Sequence, residues 1–496
     1  MEEYDEAVEA IKERRKKRAL KVFVTEGLMV LAVILLVVFT TLVAIGYNVK
    51  PGEDWTIERT GLVQIQTKPT GANITVDGET IFSWTNMSRS MTEGEHEIIL
   101  SRDGYDTWKK KISVMAGLYH RLDYPRLFLT EKKIETFEEI PEGYVFSFAK
   151  DGNIALLYSN EKTTWEIYEI NNDKPKAKEF SVKDLFTPVL EGEVDSGVKI
   201  EAWSGNSEKV LVSRNNEWIL LDVKRPEKSV NLSKKYGMKF STVEIANDSA
   251  NVLYAISDGG LRKIDVNDEK ISSVLVQNVK MFDNLKLDLA YIGDDDGDGE
   301  MEFGLLRDEE KIEAKIKWNK PDSLEIDSEK IKNKEFLAPK HIKMMRISEY
   351  YGEYYLNLVS DENEWAVFRT EKMFDEDNRF DFVFYEKYDE EPRDLAVRGD
   401  GEIFVLDFSD NKQIFDVEIE NVVKITTFLN AKWLDEHVIY DISSEGVLTV
   451  ADFDRGNQRK MTENALPGAE VKISKNDKWM YFVSKENKLS RIVISN

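Results

Sequence analysis

Hydrophobic and polar positions divide the chain into three regimes. The first is one uncharged run, Gly27 to Gly46, GLMVLAVILLVVFTTLVAIG. As a helix rising 1.5 Å per residue it covers about 30 Å, the hydrocarbon thickness of a bilayer. Its apolar residues fall on every face, whereas a surface helix shows a stripe. The second regime, residues 61–130, alternates with the two-residue period of a strand. Leu62, Gln64 and Gln66 interleave with Val63, Ile65 and Thr67. Short apolar runs follow at Asn73–Val76, His96–Leu100 and Trp108–Val114. They are separated by the turn signals Asp77-Gly78, Glu93-Gly94 and Asp103-Gly104.

The third regime, residues 131–496, repeats. A turn rich in Asp, Asn or Gly leads to a strand of four to six apolar residues, then a turn and a partner strand. Phe146-Ser147-Phe148-Ala149-Lys150-Asp151-Gly152, Ala202-Trp203-Ser204-Gly205-Asn206 and Lys472-Ile473-Ser474-Lys475-Asn476-Asp477 open three such units. Units begin near residues 145, 200, 244, 287, 351, 393, 430 and 470. The Lys/Glu-rich stretch 309–334 blurs the fourth and fifth. A repeat of roughly 40–45 residues built from short strands predicts a β-propeller, because one blade cannot bury both of its faces alone. The expected count is seven or eight blades. Lys132–Phe137, just ahead of the first unit, matches Arg459–Thr462 ahead of the last. A turn containing Pro and Gly follows each, so the early strand is expected to complete the last blade.

The predicted fold is therefore mainly β. It comprises a basic tail (1–21), a transmembrane helix (22–46), a linker (47–60), a small β module (61–130) and a propeller (131–496). The flanks orient the helix. Arg14-Arg15-Lys16-Lys17-Arg18 precedes it, whereas Glu53, Asp54 and Glu58 follow. By the positive-inside rule the N-terminus is cytoplasmic and the bulk of the chain lies outside. A signal peptide would have a shorter apolar core and a small-x-small exit, so an uncleaved anchor is expected.

Composition sharpens this picture in two places. Net charge is −25, and residues 1–26 sum to zero, so the whole excess follows the helix. Such a domain repels phosphate backbones, which argues against nucleic acid as a partner. Cysteine is absent, which excludes disulfides, thiolate metal sites and a cysteine nucleophile.

Residues 61–127 resemble the PEGA domain family, small β modules common in bacterial envelope proteins. The resemblance rests on Pro69-Thr70-Gly71-Ala72, Val76-Asp77-Gly78, Gly94-Glu95-His96 and Gly104-Tyr105 with Trp108; Thr70 departs from the naming motif. It implies a stalk or a ligand surface. The repeats resemble TolB-like and WD40-like propellers most closely at Val447–Asp454, which implies a recognition scaffold without naming its partner.

One stretch carries metal chemistry. Asp294, Asp296, Asp298 and Glu302 stand at loop positions 1, 3, 5 and 9, and Gly299 permits a sharp turn. These spacings suit a hard cation with oxygen ligands, and the loop resembles the calcium loops of integrin-type propellers. The expected ligands are Asp294, Asp296, Asp298 and Glu302, with Glu300 contributing its carbonyl to a structural Ca²⁺. The alternative is a solvated acidic hairpin. Arg398-Gly399-Asp400 spells an integrin-recognised tripeptide, yet its setting between two strands reads as a plain hairpin. No nucleophile elbow, zinc-binding His pair or phosphate-binding loop occurs, so the chain is not expected to be an enzyme.

The functional expectation is a single-pass membrane protein of the cell envelope. Its propeller would bind a protein or an envelope polysaccharide. The alternatives are a structural subunit of an envelope assembly and a glycan-active propeller enzyme.

Overall fold

The computed structural model describes residues 2–44, 46–50, 56–187, 196–246, 249, 251–294, 296–307, 309–312, 318–319, 338–374, 380–399, 401–417, 421–425 and 431–496. Two compact units emerge, Met1–Leu127 and Phe128–Asn496.

The first unit opens with α1 (Glu2–Ala44). Its segment Lys21–Leu42 is long and apolar enough to cross a membrane, and none of it is covered by protein. Eight strands follow: β1 (Tyr47–Lys50), β2 (Thr56–Ile65), β3 (Asn73–Val76), β4 (Glu79–Trp84), β5 (Met87–Thr92), β6 (Gly94–Ser101), β7 (Trp108–Val114) and β8 (Tyr119–Leu122). They form two sheets, β1-β2-β5 with β8 parallel to β2, and β4-β3-β6-β7. Val63, Ile65, Ile74, Ile98, Leu100 and Trp108 supply the buried core. Residues 47–60, expected to be a linker, instead hold β1 and the first half of β2, paired from Tyr47↔Arg59 to Lys50↔Thr56.

In the second unit, β9 (Ile134–Glu139) precedes a run of antiparallel sheets. Among the described residues there are eight, and each is a blade. Blades 1 to 7 cover 144–181, 199–231, 242–271, 279–312, 342–387, 394–425 and 432–462. Blade 8 takes three strands from 472–493 and its fourth from β9. The stretch Trp318–Asn319 adds a fifth, parallel strand to blade 5. Most of the Lys/Glu-rich insert lies outside the described residues.

The alternation of side chains turns these sheets into a ring. Along Ile154–Ser159, Ala155 and Leu157 pack toward blade 8, and Leu156 packs toward blade 2. Similar apolar layers join blades 2 to 3, 3 to 4, 4 to 5, 5 to 6 and 7 to 8. Between blades 6 and 7, Arg398 lies 6.0 Å from the Trp433 ring centroid, and His437 Nε2 sits 2.7 Å from Glu402 Oε1. Large aromatics fill the wedges, with Trp165, Trp365, Phe404 and Phe415 fully buried. β9 closes the circle by pairing Ile134↔Ile492, Glu135↔Arg491 and Thr136↔Ser490, so the first strand of the propeller supplies the outer strand of its last blade.

Arg491 fastens this closure. It donates to Glu135 Oε2 from Nε (2.9 Å) and Nη2 (2.7 Å), and to the blade 1 carbonyls of Asn172 (2.9 Å) and Asp173 (2.6 Å). Its guanidinium stacks 4.2 Å from the Trp479 ring centroid. One side chain therefore ties together the closing strand, the last blade and the first.

Candidate functional site

The acidic loop joins the second and third strands of blade 4, Asp288–Gly293 and Glu302–Arg307. Asp294 is buried, and Asp296 and Asp298 are exposed. One carboxylate oxygen from each lies within 4.8 Å of the others. Two oxygens bound to one Ca²⁺ at 2.3–2.6 Å stand no more than about 5 Å apart, so this spacing is compatible with a shared cation. Short local hydrogen bonds fold the loop. Asp294 accepts the N–H of Gly297 (2.9 Å) and of Gly299 (3.2 Å). Asp296 accepts Asp298 N–H (3.2 Å), and Asp298 accepts Glu300 N–H (2.8 Å). Gly297 and Gly299 have φ of 77° and 90°, a region open to glycine at little cost.

Glu300 and Glu302 stay outside this group of three. Glu302 is exposed at the start of its strand, opposite Gly293. Asp295 lies outside the described residues. Among the described residues, the three aspartates are the one set of His, Cys, Asp or Glu close enough to share a metal.

A second constellation was not singled out by the sequence. Glu244, Asp283 and Arg346 lie on the innermost strands of blades 3, 4 and 5 (Thr242–Ile245, Val279–Leu285, Ile342–Tyr350). Asn284 Nδ2 donates to Glu244 Oε2 at 3.1 Å, and Ile347 N–H donates to Asp283 Oδ2 at 2.7 Å. An innermost strand has a free edge toward the axis, and here a carboxylate from the preceding blade satisfies one of its amides. Blade 8 repeats the device, since Glu470 Oε2 accepts Phe148 N–H of blade 1 at 3.1 Å.

Both acids of the triad keep a little surface, yet protein encloses them on almost every side. Burial, with the Asp283 charge added, pushes the Glu244 carboxyl up to about 7, against the pull of Arg346 and the Asn284 hydrogen bond. Burial likewise pushes Asp283 up to about 6, with Arg346 and the amides of Ile347 and Asn284 opposing. A signal was present in the sequence. Glu244 stands two residues before the turn, the place taken by Ser147 in blade 1 and Lys472 in blade 8.

Arg398 of the RGD tripeptide belongs to a hairpin between Asp394–Arg398 and Ile403–Asp407. Its guanidinium is engaged with Trp433, and Asp400 lies outside the described residues.

Comparison with known proteins gives this geometry a partial setting. Residues 60–126 match the PEGA domain. The PEGA domain thus covers both small sheets from the middle of β2 through β8. No curated protein matches the chain. Among solved structures, the C-terminal WD40 domain of Sif2 is 10% identical, with 73% of this chain and 100% of that chain covered and a TM-score of 0.43. The β-propeller domain of Cps50 (Swd1) from Myceliophteria thermophila is 10% identical, with 74% and 100% covered and a TM-score of 0.38. Apo AztD from Citrobacter koseri is 10% identical, with 79% and 94% covered and a TM-score of 0.36. The assignment of eight blades comes from the sheet order and the layers between sheets described above.

Proposed function

We propose that this chain is a single-pass membrane protein whose PEGA domain and propeller face away from the cytoplasm and act in recognition, not catalysis. The observation that carries the reading is one polypeptide joining an uncovered apolar helix, a PEGA domain and a closed ring of blades. A closed ring presents its loops on a rigid scaffold, which suits binding. Its partner is a protein or an envelope polysaccharide, with the PEGA domain placed in the chain between anchor and binder.

The absence of cysteine makes the topology directly testable. Lys16→Cys and Tyr351→Cys would each carry the only thiol; Tyr351 is an exposed side chain of the propeller. A membrane-impermeant maleimide added to intact cells is expected to label Tyr351→Cys and to spare Lys16→Cys until lysis. The opposite pattern inverts the topology and removes the extracytoplasmic reading.

The acidic loop is proposed to hold a structural Ca²⁺ through Asp294, Asp296 and Asp298. Glu302, and Glu300 through its carbonyl, are the further ligands expected from the sequence, and the grouping of carboxylate oxygens supports the three aspartates. The ion would stiffen the hairpin of blade 4, because three carboxylates this close repel one another without a counter-charge. Calorimetric titration of the detergent-solubilised protein is expected to show one Ca²⁺ site. Asp294→Asn is expected to weaken it at least tenfold, about 1.4 kcal/mol. A heat-free titration at millimolar Ca²⁺ would remove the site.

A further inference from the structure

The PEGA domain is fastened to the end of α1 with almost no free chain between them. The uncharged apolar run reaches Gly46, and the helix ends at Ala44. Two residues later, the Gly46 carbonyl accepts both the N–H (2.6 Å) and the Oγ1 (3.1 Å) of Thr60 in β2. The Thr60 carbonyl in turn accepts Gly117 N–H at 2.9 Å. The packing leaves no room for a side chain, since a Cβ on Gly46 would meet Gly117 N at 2.3 Å and Thr60 O at 2.5 Å.

Around this seam lies an apolar patch facing solvent. Leu62, Met115, Leu118 and Tyr119 are 42%, 43%, 49% and 48% exposed. Leu62 and Tyr119 share a face by the parallel β2–β8 register, and Leu118 and Met115 stand in the adjoining turn, where Leu62 N–H donates to the Leu118 carbonyl at 2.9 Å. His120 Nε2 accepts Met115 N–H at 2.9 Å and so holds the turn that carries Met115 and Leu118. Arg121 stacks 5.6 Å from the Tyr119 ring centroid. A small domain exposing four large apolar side chains together, edged by an aromatic–arginine pair, has the composition of a membrane-interface surface.

We infer that this patch rests on the bilayer surface from which α1 emerges, with its apolar side chains at the headgroup boundary. The distances fit. Counted as a helix, the uncharged run Gly27–Gly46 already spans the ~30 Å of hydrocarbon, so Gly46 stands at its outer boundary. Each interfacial zone of a bilayer is about 6 Å deep, half of the difference between 40–45 Å overall and 30 Å of hydrocarbon. The chain leaving the hydrocarbon therefore enters the domain while still at headgroup depth, beside the patch. The PEGA domain then has a fixed footing on the lipid, and the occupant of the patch is the membrane itself. This rests on the membrane-anchored reading above.

The domain also provides its own control. Phe82 is fully exposed on the edge strand β4. β7 and β4 are the opposite edges of their sheet, three strand spacings or about 14 Å apart. Met115 follows the Val114↔Gly94 end, and Trp84 lies at the Asn73↔Ser101 end, about 23 Å further along β6. Phe82 is therefore far from the patch.

The test uses the full chain in lipid vesicles. The thiols of Leu118→Cys, Met115→Cys, Phe82→Cys and Leu35→Cys are labelled one at a time with an environment-sensitive fluorophore. Quenching by lipids spin-labelled at the headgroup, near the start of the acyl chain or deep within it then reports depth. The labels at 118 and 115 are expected to be quenched several-fold more than that at 82, and by headgroup and shallow probes more than deep ones. Quenching at 118 and 115 no greater than at 82, with Leu35→Cys strongly quenched by the deep probe, overturns the footing and leaves the anchor intact. An unquenched Leu35→Cys overturns the anchor, and the footing with it.

Discussion

Replacing Arg491 with alanine is expected to lower the stability of the propeller by about 2–4 kcal/mol, because a buried guanidinium loses its hydrogen bonds and its ring stack together, although Glu135 stays partly exposed and keeps Lys133 as a partner. The substitution removes both bonds to Glu135, both blade 1 carbonyl contacts and the stack on Trp479. The damage should be local before it is global. Amide exchange is expected to rise first in Ile134–Glu139, because β9 pairs with the rest of the ring through the strand that carries Arg491. Glu135→Gln should cost less, about 1–2 kcal/mol, since the amide oxygen still accepts from the guanidinium. The Lys133 hydrogen bond, then Arg491, hold the Glu135 carboxyl below the usual glutamate range. The stability that this contributes is complete above the unfolded-state value and is lost as pH falls through the depressed one, so the closure weakens in acid. Urea unfolding of the detergent-solubilised protein, followed by tryptophan fluorescence and by exchange at 134–139, checks both variants. A loss under about 1 kcal/mol for Arg491→Ala, with unchanged exchange in β9, would refute the role given to this residue.

The closure was legible in the sequence because its signals are local: a Lys-Lys or Arg-Lys pair, then a Pro-Gly turn, in two places. The apolar helix was legible for the same reason. The fourth and fifth blades were not placed well. Their units were expected from residues 287 and 351, whereas the innermost strands begin at Val279 and Ile342. Asp283 and Asn284 interrupt the apolar run of the first, and Arg346 and Ser348 that of the second, so neither reads as a core strand. The two strands that periodicity missed carry Asp283 and Arg346, two of the three buried charges, and local rules commonly fail where a polar group has been placed for a reason. The linker expected at 47–60 has a related cause. A four-residue strand before Pro51-Gly52 shows too little alternation to be recognised, and only its pairing with β2 reveals it. In the acidic loop, one-residue spacing gathered the three aspartates, whereas the position of Glu302 depends on strand register, which loop spacing does not encode.

Those buried charges lead to the second large effect. Glu244→Gln is expected to raise stability by about 2 kcal/mol at pH 8 and to change little at pH 5. Glu244 faces Asp283 and Arg346, with Asn284 as its hydrogen-bond donor, so one guanidinium serves two carboxylates. When both acids are ionised, the second negative charge is enclosed without a cation of its own. The folded protein therefore holds a proton that the unfolded chain has already released. Between the ordinary glutamate value of 4.5 and about 7, the folded state binds more protons than the unfolded one, so stability falls as pH rises through that window and levels off above it. Full release of a shift this size is worth at most about 3.5 kcal/mol, and coupling to Asp283 divides it between the two groups. Glutamine keeps the acceptor for Asn284 and never ionises, so the variant should lack most of this slope. Asp283→Asn is the sharper comparison. Its carboxylate also accepts the Ile347 amide at the inner edge of blade 5, so the gain from removing charge is offset by a weaker hydrogen bond. Urea midpoints of the three proteins from pH 5 to pH 8 separate these contributions. Parallel pH profiles for wild type and Glu244→Gln would mean that the triad stays fully ionised in the fold, with Arg346 and channel water screening both acids.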